Sequence, residues 1–318
     1  MGHRAHYVIK SGGFWGRYYS QWGGYTLELD LLTGPTAATR FARGQRPFGT
    51  WMYNGECDGA ALIDHDERRL LWFSRFLGAV AYRQAVLDVI ERTWAGWRID
   101  WAYGGLPEIR RALGDDDGMR PWAFRDLTPA SEDRPPCLLT VVKDATVRAY
   151  MVAEGAHAVL GHDLDSLMRY CERWRPVRVW PCLPSSGVHL DVDRRAGGAW
   201  TLGLVDARGP GWPGWSWEHW GDRHSEHLSR AKGAIDLPAV DLSAGLRMLA
   251  EEFDRHRGLD AGTPVTAQLL EFAGALRGAA ESVGMSVAAA GDAPGHGPLD
   301  PTEEERDRVR AVLAALRQ

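Results

Sequence analysis

The feature that most constrains this chain is that it repeats itself. The stretch WAGWRIDWAYG, from Trp94 to Gly104, falls on WPGWSWEHWGD, from Trp212 to Asp222, when moved along by 118 positions. Trp94, Gly96 and Trp97 then meet Trp212, Gly214 and Trp215, while Asp100 meets Glu218 and Glu108 meets Glu226. Earlier segments match in the same order at larger offsets. Val8, Ile9 and Lys10 meet Val141, Val142 and Lys143 at 133, and Arg17, Tyr19 and Gly24 meet Arg148, Tyr150 and Gly155 at 131. Arg40-Phe41 and Arg46-Pro47 meet Arg169-Tyr170 and Arg175-Pro176 at 129, and Ile63, Asp64 and Asp66 meet Leu190, Asp191 and Asp193 at 127. One short match is chance. Five in order, with an offset that only falls, read as a duplication.

A duplicated chain builds one supersecondary unit twice, so the elements of each copy can be read against the other. In the first copy, Tyr7 to Lys10 and Arg17 to Tyr19 read as strands. Pro35 to Arg43 reads as a helix with Pro at its first position and Gly34 as cap. Ala60 to Phe73 reads as a hairpin turning near Asp66 to Arg69, and Trp97, Ile99 and Trp101 alternate with Arg98 and Asp100 as in a half-buried strand. In the second copy, Leu138 to Val142 and Val147 to Val152 are the strands, Leu164 to Trp174 the helix with Asp163 as cap, and Val188 to Val205 the hairpin. The last fall in offset marks an insertion in the first copy. Ala81 to Thr93 carries Tyr82, Val86, Val89 and Ile90 at helical spacing, where the second copy has a Gly/Pro loop from Val205 to Gly211.

The fold class expected is α+β, with two tandem units, each a small antiparallel sheet plus helix, followed by a helical C-terminal region. The units span residues 1–114 and 137–235, the polar, Pro-bearing residues 115–136 form a linker, and residues 236–318 form the helical region. There Leu242 to Phe253 and Thr266 to Ala280 have helical spacing, Gly291 to Pro298 is a break, and Asp300 caps a last helix with Pro301 at its first position and Glu303 at its third. The two copies are expected to pack as a pseudo-symmetric pair with a cleft between them.

Composition narrows the function classes. Of 318 residues, 45% are hydrophobic and 25% charged, as in ordinary globular domains, and the net charge of −5 gives no overall field toward nucleic acid or an anionic membrane. No apolar leader opens the chain and no run reaches the length of a membrane helix, so a soluble, cytoplasmic protein is expected. Cys57, Cys137, Cys171 and Cys182 lack zinc or disulfide spacing and read as ordinary thiols. There is no Gly-Lys pair for a Walker loop and no GxSxG elbow. Gly209, Gly211 and Gly214 spell GxGxxG, but Pro210 and Pro213 interrupt it and a Trp-rich strand follows where a dinucleotide site needs a helix.

Three groups of residues could carry chemistry. The densest is WPGWSWEHWGDRHSEH, residues 212–227, with four of the chain's 15 Trp. His219, Asp222, His224 and His227 are candidate ligands for a divalent metal such as zinc, iron or manganese, and Glu218 and Glu226 are candidate acid/base carboxylates. The first copy has Trp101, Gly104, Leu106 and Ile109 opposite the four metal candidates. The Trp-Gly-Trp frame is therefore shared and structural, while those four are private to the second copy. The matched pairs Asp64/Asp66 and Asp191/Asp193 place two carboxylates on one strand face, beside a hairpin turn that could equally need them. The run Phe14, Trp15, Tyr18, Tyr19, Trp22 and Tyr25, interleaved with Arg17, could form a stacking platform or pack as strands. No motif is complete. The expectation is a non-catalytic binding or interaction protein for a ligand or protein partner that the sequence does not name; the alternative is a hydrolase or transferase with its site in the second copy.

Overall fold

The computed structural model describes residues 3–115, 126–131, 137–205, 209–256 and 301–317. Its first sheet contains β1 (Ala5–Ser11), β2 (Phe14–Ser20), β3 (Arg46–Pro47), β4 (Gly59–Asp64), β5 (Arg69–Ser74) and β6 (Arg98–Trp101), in the order β3-β2-β1-β4-β5-β6. The second contains β7 (Cys137–Lys143), β8 (Thr146–Val152), β9 (Ser186–Asp191), β10 (Ala196–Thr201) and β11 (Ser216–His219), in the order β11-β10-β9-β7-β8. Set the two-residue β3 aside and the sheets have one topology. In both, an outer hairpin and an inner hairpin pair antiparallel, while their junction (β1 with β4, β7 with β9) and the last strand (β6 on β5, β11 on β10) pair parallel. The antiparallel expectation holds for the hairpins; the connecting helices add the parallel neighbours.

The helices repeat too. α1 (Leu27–Leu31) and α2 (Pro35–Arg43) correspond to α5 (Ala156–Leu160) and α6 (Leu164–Arg173), and α4 (Leu106–Ala112) to α7 (His224–Ala231). The insertion folds as α3 (Val80–Thr93), which the second copy lacks. The architecture is thus a duplicated α+β fold with a helical C-terminal part, α8 (Leu242–Arg255) and α9 (Glu303–Leu316).

The register corrects two of the sequence matches. Ile9 lies beside Ile63 and Val141 beside Leu190, so Ile9 corresponds to Val141 at an offset of 132. The same 132 runs through β2 and β8. The sequence matches at 133 and 131 were each one residue out, in opposite directions. A one-residue slip exchanges the two faces of a strand, and it made Lys10 match Lys143; Lys10 corresponds to Val142 and pairs with Asp64 at 2.8 Å.

The shared residues hold the frame. Trp94 donates to the carbonyl of Leu31, the last residue of α1, at 2.7 Å, and Trp212 to that of His162, two residues past α5, at 3.3 Å. The ring pairs Trp94–Trp97 and Trp212–Trp215 meet edge-on at 5.0 and 5.1 Å with interplanar angles of 84° and 82°. Asp66 accepts from the Gly12 and Gly13 amides at 2.7 and 2.9 Å, and Asp193 from the Asp144 and Ala145 amides at 3.0 and 2.9 Å. Those four turn residues all have positive φ, as a tight hairpin of this hand demands. Asp64 and Asp191 accept backbone amides of the next turn. The Asp-x-Asp pairs therefore clamp neighbouring turns.

α3 carries the C-terminal helices. A side chain at Gly245 of α8 would overlap the Ala81 carbonyl of α3, so the two backbones touch there. Arg40 of α2 grips Glu305 of α9 with two hydrogen bonds, at 3.1 and 2.6 Å. Thr302 caps α9, with Glu305 returning the bond as a complete capping box, so the helix begins two residues beyond the expected cap. Asp300, the expected helix at 266–280 and the break at 291–298 lie outside the described residues. In the linker region, Pro129 bridges to Val152 and Leu127 enters the second core. Among the described residues no helix is long and apolar enough to cross a membrane.

Candidate functional site

The two units meet where β6 and β11 end, and the helix private to the first copy reaches across. Arg83 projects from α3, buried to 1% exposure. Its Nη1 donates to the Leu202 carbonyl of the second unit at 3.0 Å, its Nη2 faces the Asp222 carboxylate at 3.4 Å, and its guanidinium lies 3.7 Å above the Trp101 ring. Its Nε is buried without a partner. The Trp101 indole donates to Gly203 at 3.1 Å, and the Tyr103 carbonyl accepts from the Val205 amide at 2.9 Å. The Tyr103 ring stands edge-on to His219 at 4.7 Å. Gly221, at φ 63°, makes room for the Tyr103 hydroxyl, which a Cβ there would approach to 2.9 Å.

A cleft of about 520 Å³ opens over this junction, lined by Arg83, Trp101, Tyr103 and Glu108 from the first unit and Asp222 from the second. At its outer end Arg69 and Arg98 share the Asp100 carboxylate at 2.5 and 2.9 Å. Burial pushes the Tyr103 hydroxyl up to about 12, and the Asp222 carboxylate pushes the same way. The hydroxyl therefore stays a neutral donor and acceptor at any ordinary pH. Glu108 accepts the Gly104 amide at 2.8 Å, which fixes the turn entering α4.

The six residues singled out in the sequence do not converge. Asp222 lines the cleft. His219 stands behind Tyr103 with its Nε2 buried and unpaired. His224 opens α7 with its ring 5.7 Å from that of Trp200. Glu218 accepts from the Trp220 indole and from Arg230, each at 2.8 Å, and Glu226 lies in the first turn of α7. Among the described residues no three His, Cys, Asp or Glu side chains gather as a metal-binding group.

His227 lies in the core. The Trp200 indole, which can only donate, gives its N–H to His227 Nδ1 at 3.1 Å. His227 Nε2 therefore carries the proton and donates to Thr140 Oγ1 at 2.6 Å; the Thr140 hydroxyl passes its own hydrogen to His189 Nδ1 at 2.7 Å. In the first copy the corresponding positions are Val8, Leu62, Phe73 and Ile109, all apolar and all buried to 1% or less. The second copy has replaced four apolar side chains by one connected polar quartet.

Arg83, Trp101 and Tyr103 carry the junction and escaped the sequence reading. A signal was there: Arg83 sits on the apolar stripe of α3 with Val86 and Ile90, where a charged residue needs a partner. The N-terminal aromatics pack in part, with Arg17 4.2 Å above the Trp51 ring and Tyr19 stacked on Phe48 at 5.1 Å, while Phe14 and Trp22 remain exposed. The GxGxxG glycines all take positive φ and lead into β11, with Trp217 lying against Gly209. Compared with known protein families, curated proteins and solved structures, the chain matches none.

Proposed function

We propose that this is a non-catalytic, soluble cytoplasmic binding protein whose ligand occupies the cleft between its two copies. The observation that carries the reading is Arg83. A guanidinium 1% exposed, with one N–H unpaired, under a cleft lined by the first copy and by Asp222 of the second, leaves a buried donor that a ligand can engage. It is delivered by a helix that the second copy does not need for its own sheet. Its neighbours Tyr103, Glu108 and Asp222 supply a hydroxyl and two carboxylates, and Trp101 a flat apolar wall, the mixture that orients a small polar ligand. A hydrolase or transferase built on Glu218 and Glu226 has less support, since neither lines the cleft and Glu218 is tied to Arg230.

The test is a thermal-shift screen of small polar compounds on wild type and Arg83→Met, because a ligand of the folded state raises its melting temperature by mass action. A compound that stabilises wild type and loses that effect in the variant supports the cleft. Equal stabilisation of both proteins, or none in either, overturns it. Stoichiometric metal in purified protein, lost in His224→Ala/His227→Ala, would instead favour the metal-dependent alternative.

A further inference from the structure

We propose that the second copy is an acid-triggered latch on the cleft: protonation of His227 and His189 lifts α7 from its sheet and withdraws Asp222 from Arg83. The argument begins with hydrogen-bond direction. Both ring nitrogens of His227 are engaged, one as acceptor from Trp200 and one as donor to Thr140. A second proton would sit on Nδ1 and face the Trp200 N–H across 3.1 Å, donor against donor, with no acceptor between. The closed arrangement therefore admits only neutral His227. His189 is tied to the same Thr140 hydroxyl and is 5% exposed.

The charged surroundings do not favour protonation. The ionisable groups described as facing these rings are each other, Arg230 and Lys232 from α7 and its C-terminal end, and Asp191 from β9. Two cations against one carboxylate leave a second or third positive charge unwelcome. Burial is the larger cause, and it holds His227 down to about 3 and His189 down to about 4.

α7 is the element suited to move. Its N-cap, Arg223, makes no side-chain capping bond to the first turn (its Nε donates back to the Trp220 carbonyl at 3.1 Å), and its C-cap is Lys232 at φ 49°, a left-handed position that favours glycine. Eight residues so poorly capped do not form a stable helix alone. Contacts with β8, β9 and β10 hold it, and the quartet lies in that contact. The helix follows directly from the turn that presents Gly221 to Tyr103 and Asp222 to Arg83. Lifting α7 therefore pulls on the residue that the second copy contributes to the cleft lining, Asp222. The consequence for a ligand rests on the reading of the cleft given above; the opening itself does not.

Opening returns both rings to the ordinary histidine value near 6.5. Linkage then raises the opening equilibrium by about 500-fold from pH 7 to pH 5 if both protons are taken up. The experiment is hydrogen exchange of the full chain at pH 7, 6 and 5, read on the amides of α7 and of the 220–223 turn, with the intrinsic pH dependence divided out. Its control is the variant Thr140→Val/His189→Leu/Trp200→Phe/His227→Ile, which gives the second copy the residues of the first. The expected result is protection falling about 500-fold in wild type and unchanged in the variant. His227→Gln keeps neutral hydrogen bonding, serves if the fourfold variant does not fold, and is expected to retain about a 20-fold fall from His189 alone. Protection of α7 that stays constant in wild type, or falls equally in all the proteins, overturns the latch. If α7 opens while the 220–223 turn keeps its protection, the link to the cleft is overturned. No ligand enters the experiment, so a failed ligand screen leaves it standing.

Discussion

Replacing Arg83 by Met tests whether the junction is held by that one side chain. Met keeps the length and most of the buried stem but removes the charge and donors. The charge-assisted bond to the Leu202 carbonyl, at 3.0 Å, contributes about 1.5–3 kcal/mol. The guanidinium on Trp101, at 3.7 Å and shielded from water, contributes about 2 kcal/mol. The contact with Asp222 is long, at 3.4 Å, and that carboxylate is 35% exposed, so it adds less than about 1 kcal/mol. Against these, Met relieves the buried unpaired Nε, a gain of about 1–3 kcal/mol. The net expectation is a loss centred on about 3 kcal/mol, with the terms spanning about 0.5 to 5 kcal/mol. Urea unfolding followed by tryptophan fluorescence and far-ultraviolet circular dichroism measures it, with the midpoint shifting down and the two probes separating as the units uncouple. Arg83→Lys should not restore the loss, because an ammonium neither stacks on Trp101 nor reaches both Leu202 and Asp222. A Met variant as stable as wild type, with coincident transitions, would show that the unpaired Nε costs as much as the other contacts give, and that the junction does not depend on Arg83.

Other consequences follow from buried groups and tight glycines. Burial raises Glu28, 4% exposed, to about 7, so its ordinary carboxylate value belongs to the unfolded chain alone; stability falls as pH rises from about 4.5 to 7, and Glu28→Gln should gain about 2.5 kcal/mol over wild type between pH 5 and pH 8 in paired urea titrations. Gly187→Ala would overlap both His227 and the Trp200 indole and should cost more than about 3 kcal/mol by thermal unfolding, whereas Gly211→Ala meets nothing within 4 Å and should cost about 1 kcal/mol for its φ of 65°. Asp66→Ala and Asp193→Ala should lower the melting temperature by similar amounts, since each removes the acceptor for two turn amides; a large inequality would contradict the equivalence of the two turns.

Much of the frame was legible because it is written twice. The Trp-Gly-Trp segment, the α2 and α6 boundaries and the inserted helix all follow from comparing copies, and the structure places them as expected. What the comparison misjudged was register in the first hairpin. Matching identical residues favoured Lys10 with Lys143, although the turn lengths are equal and the alternation of faces forbids a change of offset there. The candidate site was less legible. His219, Asp222, His224 and His227 are close in sequence, yet a strand, a turn and a helix send them to a ring contact, a cleft and a core. Their partners, Tyr103, Arg83 and Thr140, lie roughly a hundred residues away, which no local spacing can reveal.

Two departures from symmetry meet at one place. The first copy differs from the second by α3, which brings Arg83 to Asp222. The second differs from the first by the polar quartet under α7, the helix that begins two residues after Asp222. Each unit builds the same sheet without the other's departure, so neither is a requirement of the shared fold. Position 104 in the first copy is glycine and cannot answer an arginine; its counterpart, Asp222, can. A buried cation from one copy and, in the proposed latch, a titratable core from the other thus bear on a single turn, residues 220–223. That convergence is why the proposed binding cleft needs both copies, since neither unit alone holds Arg83 against Asp222.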